Sequence, residues 1–290
     1  MSAALLPSRR AEAWKYSDLR TAVGDEPVVL REGRDIIERL APETQRTEVP
    51  AGEYHLVVER IEDGQGLNAR TSEFKVAAGG SLTRVVIQSG AGIPLSMARV
   101  QLAAGAKLTQ VVLAFGAKLA RIETHVDVEG EGAEVVLNGA YLVSSGRHAD
   151  LTSVINHHVP GGATRQLIKG VATKGGRGVF QGMIVVDRGA QKTDARQYHH
   201  GMLLEAGAEI FAKPELMIYA DDVQCAHGNT AGGIDERALF YMRSRGVSEA
   251  EARALLVEAF LADAIPESLS DDLKNELRDR MRTWLRETRS

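Results

Sequence analysis

The rhythm of apolar and polar positions changes twice along this 290-residue chain. Near the start, Ala13, Trp14 and Tyr16 between Arg9 and Leu19, and Ile36, Ile37 and Leu40 after Asp35, fall at helical spacing and predict short helices. From about His55 to Asp222 the helical spacing disappears. Runs rich in Val, Ile, Leu and Thr, broken by Gly-Ala or Gly-Gly, predict many short strands joined by tight turns. Helical spacing returns with Asp235, which can cap a turn carrying Leu239, Phe240 and Met242. Ser248 with Glu251 then reads as a capping box ahead of Leu255, Leu256, Phe260 and Leu261. In a third helix Leu269, Leu273, Leu277, Met281 and Leu285 form a stripe among Lys274, Arg278 and Arg282. That stripe either packs on its own neighbours or docks a partner.

The glycine punctuation is periodic. Gly-Ala pairs begin at Gly105, Gly132, Gly162 and Gly189, steps of 27, 30 and 27 residues, and Gly80 lies 25 before the first. A period of this size predicts a solenoid, in which no coil can bury its inward face alone and stacking builds one continuous core. An antiparallel sandwich of short, Gly-bounded strands is the rival. The expected division is an N-terminal helical segment at 1–50, a β core at 51–232 and a C-terminal helical domain at 233–290.

Composition narrows the function classes. Apolar residues at 44% and charged residues at 26% suit a globular chain with its own core, and 29 glycines suit a fold with many turns. A net charge of -4 with scattered Lys and Arg gives no footprint for nucleic acid or an anionic membrane. No run approaches the roughly 18 apolar residues of a membrane-spanning helix, and Met1 to Arg10 holds only Ala3 to Leu6 as an apolar run, so a cytoplasmic location is expected. The single cysteine, Cys225, excludes an intramolecular disulfide and agrees with a reducing compartment.

Enzyme signatures are missing. Lys174-Gly175-Gly176-Arg177-Gly178 is glycine-rich but lacks the Gly-Lys-Ser/Thr ending of a phosphate loop and reads as a turn. There is no dinucleotide fingerprint, Gly-x-Ser-x-Gly elbow or His-Glu-x-x-His pair. Soft-metal donors remain at Asn156-His157-His158, Tyr198-His199-His200 and Cys225-Ala226-His227. Adjacent side chains on a strand point to opposite faces, so one histidine of each doublet at most can face a common site, whereas Cys225 and His227 share a face. Asp221-Asp222 suits a turn or cap, or hard-metal ligands. One reading of these donors is a stand-alone metalloenzyme with His157 or His158, His199 or His200, and His227 as three ligands beside an open position.

Lys213-Pro214-Glu215-Leu216, then Tyr219 through Gly228, then Leu239 through Gly246 resemble the C-terminal signature of the SufB/SufD family. The Cys-x-His-Gly form at Cys225 to Gly228 resembles the SufD branch; the SufB branch usually lacks this cysteine and runs His-Glu. Gln191 to Gln197 resembles the family's Gln-x-Thr-Asp-Ala-x-Gln segment, and Glu12-Ala13-Trp14-Lys15-Tyr16 its Glu-x-Trp-Lys-Tyr motif. Two departures stand out. The family's Gly-Ala-Thr-Val-Gly is Gly228-Asn229-Thr230-Ala231-Gly232 here, and Tyr198-His199-His200 replaces an Asn-rich continuation.

The resemblance implies a right-handed parallel β-helix flanked by N- and C-terminal helical parts. It implies a non-catalytic scaffold subunit of the SUF iron–sulfur cluster assembly complex, paired with a SufB-like protein through the β-helix and docked by a SufC-like ATPase on the helices after Asp235. It places His227 at the pair interface, where a nascent iron–sulfur cluster is held transiently and shared with the partner chain; Cys225 is a weaker second ligand. Such clusters take about four protein ligands, so sharing also answers the shortage of cysteine. A homodimer through exposed solenoid edges is a further expectation for the chain alone.

Overall fold

The computed structural model of the chain describes residues 3–62 and 64–288. The outermost residues of the two expected end segments, 1–2 and 289–290, lie outside the described residues. A 3-10 turn at Glu12–Trp14 leads to α1 (Leu19–Val23) and α2 (Ile36–Leu40). Then come β1 (Thr44–Val49), β2 (Tyr54–Ile61), β3 (Leu67–Val76), β4 (Ser81–Gln88), β5 (Ile93–Leu102), β6 (Lys107–Ala114) and β7 (Ala120–Val128). They continue as β8 (Glu134–Val143), β9 (His148–His157), β10 (Ala163–Ala172), β11 (Arg177–Val186), β12 (Asp194–Leu203), β13 (Glu209–Ile218) and β14 (Gln224–Gly232). The chain closes with α3 (Glu236–Ser244), α4 (Glu249–Ala262) and α5 (Asp271–Glu287).

The strands alternate between two sheets, ordered β1-β3-β5-β7-β9-β11-β13 and β14-β12-β10-β8-β6-β4-β2, and every neighbouring pair is parallel. This is a β-solenoid, and the parallel pairing excludes the antiparallel sandwich. One coil advances 27 residues at Thr44 to Thr71, 26 at Arg84 to Gln110 and 32 at Arg177 to Glu209. The glycine period therefore read the coil correctly, but it did not place every turn. Gly105 and Gly132 do take positive φ, whereas the next turns place it at Gly161 and Lys192. Gly162 is needed for space: a Cβ there would lie 2.5 Å from His157 Nδ1.

Inward positions stack in columns along the ladder. Phe74, Val100, Val126, Ile155 and Ile184 of the odd-numbered sheet face Leu82, Leu108, Val135 and Leu137 of the even-numbered one. Each outer face is covered by an end segment. Val85, Ile87, Leu113 and Leu142 pack against Val257, Leu261, Leu277, Met281 and Leu285. The leucine stripe of α5 is thus intramolecular core, and it holds the C-terminal helices to the even-numbered sheet. Asp235 and Ser248 cap α3 and α4 as the sequence predicts, with Ser248 Oγ accepting from the Glu251 amide at 3.3 Å.

On the other face Leu6, Trp14, Leu19, Val23 and Ile37 pack against Ile93, Leu95 and Met97. The short helix expected over Arg9 to Leu19 is reduced to the 3-10 turn. Asp18 caps a fresh helix by accepting from the Thr21 amide at 2.9 Å, while the preceding Ser17 turns its hydroxyl to Asp150 of the sheet. No helix among the described residues is long and apolar enough to cross a membrane.

Candidate functional site at the open end of the solenoid

Among the described residues the last coil has no successor. β13 bonds only to β11 and β14 only to β12, so each sheet ends in a strand with one unpaired edge. An unpaired edge is a template for another strand. Pro214 in β13 fits this terminal place, because proline has no amide hydrogen to give a ladder and is best tolerated mid-strand at a sheet edge. Met217, Ile218 and Tyr219 are exposed beside it, an apolar rim where inner coils are closed.

Register places three donors of β14 over the interior. Cys225, His227 and Asn229 pair with Ala195, Gln197 and His199 of β12, all fully buried, so the three face inward on the last coil where nothing further covers them. Alternation along the strand thus brings Cys225 and His227 together, as their spacing predicts. His227 is exposed and makes no hydrogen bond among the described residues. Cys225 is half-buried and packs against the solenoid core. Burial pushes its thiol up and the Asp194 carboxylate adds to this, against a hydrogen bond with the Ala195 backbone. The thiol is therefore held protonated, a poor donor until an incoming cation compensates the charge.

Beneath this surface lies a polar layer that composition does not reveal. His199 is sandwiched between Tyr141 and Phe180, with ring centroids 5.9 and 5.4 Å away. Its Nδ1 donates to Asn229 Oδ1 at 2.8 Å, and its Nε2 accepts from the Tyr141 hydroxyl, also at 2.8 Å. Burial raises the Tyr141 phenol far above its usual value and keeps it a donor, while burial lowers His199 to about 4 and keeps the ring neutral. His199 is committed at both nitrogens and anchors Asn229. Gln197 Nε2 donates to Gln166 Oε1 at 2.9 Å, and Gln166 Nε2 to Ser153 Oγ at 2.8 Å. The recurrence of glutamine one coil apart at inward positions, Gln166 and Gln197, was the signal available in the sequence.

The other histidines go elsewhere. His157 faces inward from β9 in the odd-numbered sheet and bonds Thr164 Oγ1 at 2.8 Å, with its ring lowered to about 4 by burial. His158 is outside the core and bridges Asp187 and Asp127 at 2.7 and 3.1 Å. His200 lies on the outer face with Thr230 at 2.7 Å. The three-histidine set of the metalloenzyme reading is not assembled, and no group of three His, Cys, Asp or Glu side chains suited to a metal ion occurs among the described residues. Asp221 and Asp222 lie in a bend, where Asp222 pairs with Lys192 and its amide donates to Gln191 Oε1.

Residues 44–260 match the family model described as SUF system FeS cluster assembly, SufBD core domain. The chain belongs to the SufBD core family. Among curated SufBD relatives, the iron-sulfur cluster assembly protein SufD of Escherichia coli K12 is 36% identical over 152 residues, 52% of this chain and 36% of that protein. The iron-sulfur cluster assembly SufBD family protein slr0076 of Synechocystis is 33% identical over 162 residues, 56% of this chain and 36% of the relative. Protein ABCI7, chloroplastic, of Arabidopsis thaliana is 34% identical over 169 residues, 58% and 36% respectively. The matched stretch thus spans little more than a third of each of these relatives. SufBD membership ties the chain to SUF-system iron–sulfur cluster assembly.

Proposed function

We propose that this chain is a non-catalytic, SufD-like scaffold subunit whose open solenoid end pairs with a SufB-like protein and helps to hold a nascent iron–sulfur cluster between them. The observation that carries this reading is the placement of Cys225 and His227 on the inward face of the last, edge-unpaired strand. There a second chain that continues the sheets also completes the ligand set. His227 is the first donor because its ring is exposed; Cys225 is the second, because its buried thiol ionises only once metal is present. The cluster is cargo, bound transiently and shared.

In this reading residues 51–232 are the solenoid core, to which β1 (Thr44–Val49) adds a first strand, the rest of 1–50 is an N-terminal helical segment, and 233–290 is a C-terminal helical domain docked by a SufC-like ATPase. Phe240 and Tyr241 of α3 and Leu255 of α4 are exposed and supply an apolar surface for that contact. The single thiol suits the reducing cytoplasm. In the absence of a SufB-like chain, the same two free edges favour a homodimer.

Co-expression with SufB-like and SufC-like chains tests the proposal through co-purification and cluster reconstitution. The native chain is expected to co-purify with both and support reconstitution, and His227→Ala to keep the complex but lose most of the cluster. Unchanged cluster yield in His227→Ala would remove His227 from the site. Light scattering of the chain alone reads the homodimer.

A further inference from the structure

Two register pairs between β12 and β14 are bonded side chain to side chain: His199 with Asn229 at 2.8 Å on the inner face and His200 with Thr230 at 2.7 Å on the outer. A side chain of β12 therefore reaches its partner across the last rung of the ladder on either face. Gln197 is the register partner of His227, two residues before His199, and it is fully buried. Its Nε2 is taken by Gln166 on β10, and β14 lies on the opposite flank of β12. From the odd-numbered sheet the amide is confined at Gly182, where a Cβ would come within 2.4 Å of Nε2. Its Oε1 is buried and has no hydrogen-bond partner among the described residues. A buried acceptor left in this state loses its water without gaining a partner, so the strand beside it is under pressure to supply a donor.

We infer that Gln197 is a positioning residue of the cluster site, its Oε1 accepting the ring N–H of His227 and leaving the other ring nitrogen as the metal donor. Histidines that ligate metals generally give their second nitrogen to such an acceptor, which fixes tautomer and ring orientation. Once the His227 ring turns inward from the exposed, unbonded position it takes in this structure, the inner face of β14 is held at two points, Asn229 by His199 and His227 by Gln197. This inference rests on the reading of His227 as a ligand for the cluster cargo, and its test is independent of cluster formation.

The test uses the full isolated chain with nitrogen-15-labelled histidine, with His227→Ala identifying the His227 signals by nuclear magnetic resonance. In the native chain the His227 ring is expected to hold its proton on one nitrogen, and that N–H to exchange with water about tenfold more slowly than in Gln197→Leu, the effect of one hydrogen bond. Gln197→Glu retains an acceptor oxygen and is expected to restore slow exchange, a rescue that a packing role would not give. Equal exchange in the native chain and a folded Gln197→Leu variant overturns the inference. If Gln197→Leu does not fold, the comparison moves to Gln197→Glu. Protection of the N–H there supports the inference, and loss of it in a folded chain overturns it. Cluster yield in His227→Ala judges the ligand role separately, so either claim can fail without the other.

Discussion

The Arg121 guanidinium lies 4.2 Å from the centre of the Trp14 ring, and the same side chain holds Asp150 at 3.0 Å and Glu123 at 2.8 Å. Its Nη1 also donates to the Ala13 carbonyl at 2.7 Å. One almost fully buried cation thus joins the N-terminal segment to the outer face of the odd-numbered sheet. Arg121→Met keeps much of the bulk but takes the guanidinium from the fully buried Asp150 carboxylate, which keeps only uncharged donors such as Ser17 and Thr152. Removing one partner of a buried pair costs about 3–5 kcal/mol, and a loss of that size is expected in urea unfolding. A change below about 1 kcal/mol would show that the network contributes little net stability.

Acid should destabilise this chain at two levels. Burial holds His148, His157 and His199 at about 4 in the folded chain, against an ordinary 6.5. Between these values the unfolded chain binds more protons, so their contribution is fully present above pH 6.5 and falls as the pH drops towards 4. At Glu123, burial pushes the carboxyl up, but Arg121 and His125 overcome it and hold it at about 2. Its share is present above 4.5 and is lost as the pH falls towards 2, on the order of 3 kcal/mol. Melting temperature should therefore begin to fall below about pH 6.5 and fall further below 4.5. Replacing His199 by Phe, which removes one proton acceptor, should flatten the first phase.

Two glycines make room for the Tyr141 ring. A Cβ at Gly170 would lie 2.1 Å from Tyr141 Cζ, and one at Gly178 2.0 Å from Cε2. The ring cannot retreat, since it is fully buried and its hydroxyl is bonded to His199. Gly170→Ala and Gly178→Ala should each cost about 1–3 kcal/mol or more, the ordinary range for overpacking a core. Adding Tyr141→Phe to either would relieve little, because the clash is with the ring. Near-native denaturant midpoints for both alanine variants would contradict the packing described.

Sequence reasoning reached the solenoid because each coil repeats one physical requirement, a turn followed by an inward-facing apolar strand. It reached Cys225 and His227 because strand alternation puts residues two apart on one face. It did not reach Gln197 or the sandwich around His199, since those depend on which residues stack one coil apart, and coil length varies from 26 to 32. Counting back from His227 by the glycine steps of 27 and 30 lands on His200 or Gln197, and only the register picks Gln197. The Trp14 motif was visible, but its role was not: Trp14 lies on Arg121, Tyr16 stacks on Phe211 and Glu12 pairs with Lys213, three contacts made more than a hundred residues away. The stripe of α5 was legible as apolar, but only the packed sheet decided that it is core.

With the α5 stripe buried, the contact proposed for a SufC-like ATPase falls to other, exposed side chains of the C-terminal helices. Phe240 and Tyr241 are 74% and 60% exposed on α3, while Leu239 beside them is buried and fixes the helix. Large apolar side chains left in water on a rigid helix are the residue types that dominate protein interfaces, with truncation often costing 2 kcal/mol or more each. Phe240→Ser or Tyr241→Ser alone should therefore weaken binding of a SufC-like ATPase by about thirtyfold in calorimetric titration, and the double variant by up to about a thousandfold. Exposed positions contribute little to folding, so the melting temperature of the chain alone should stay unchanged within about 2 °C. Undiminished ATPase binding by the double variant would move the contact to another face of the helices. A lower melting temperature would instead show that the pair packs on its own chain.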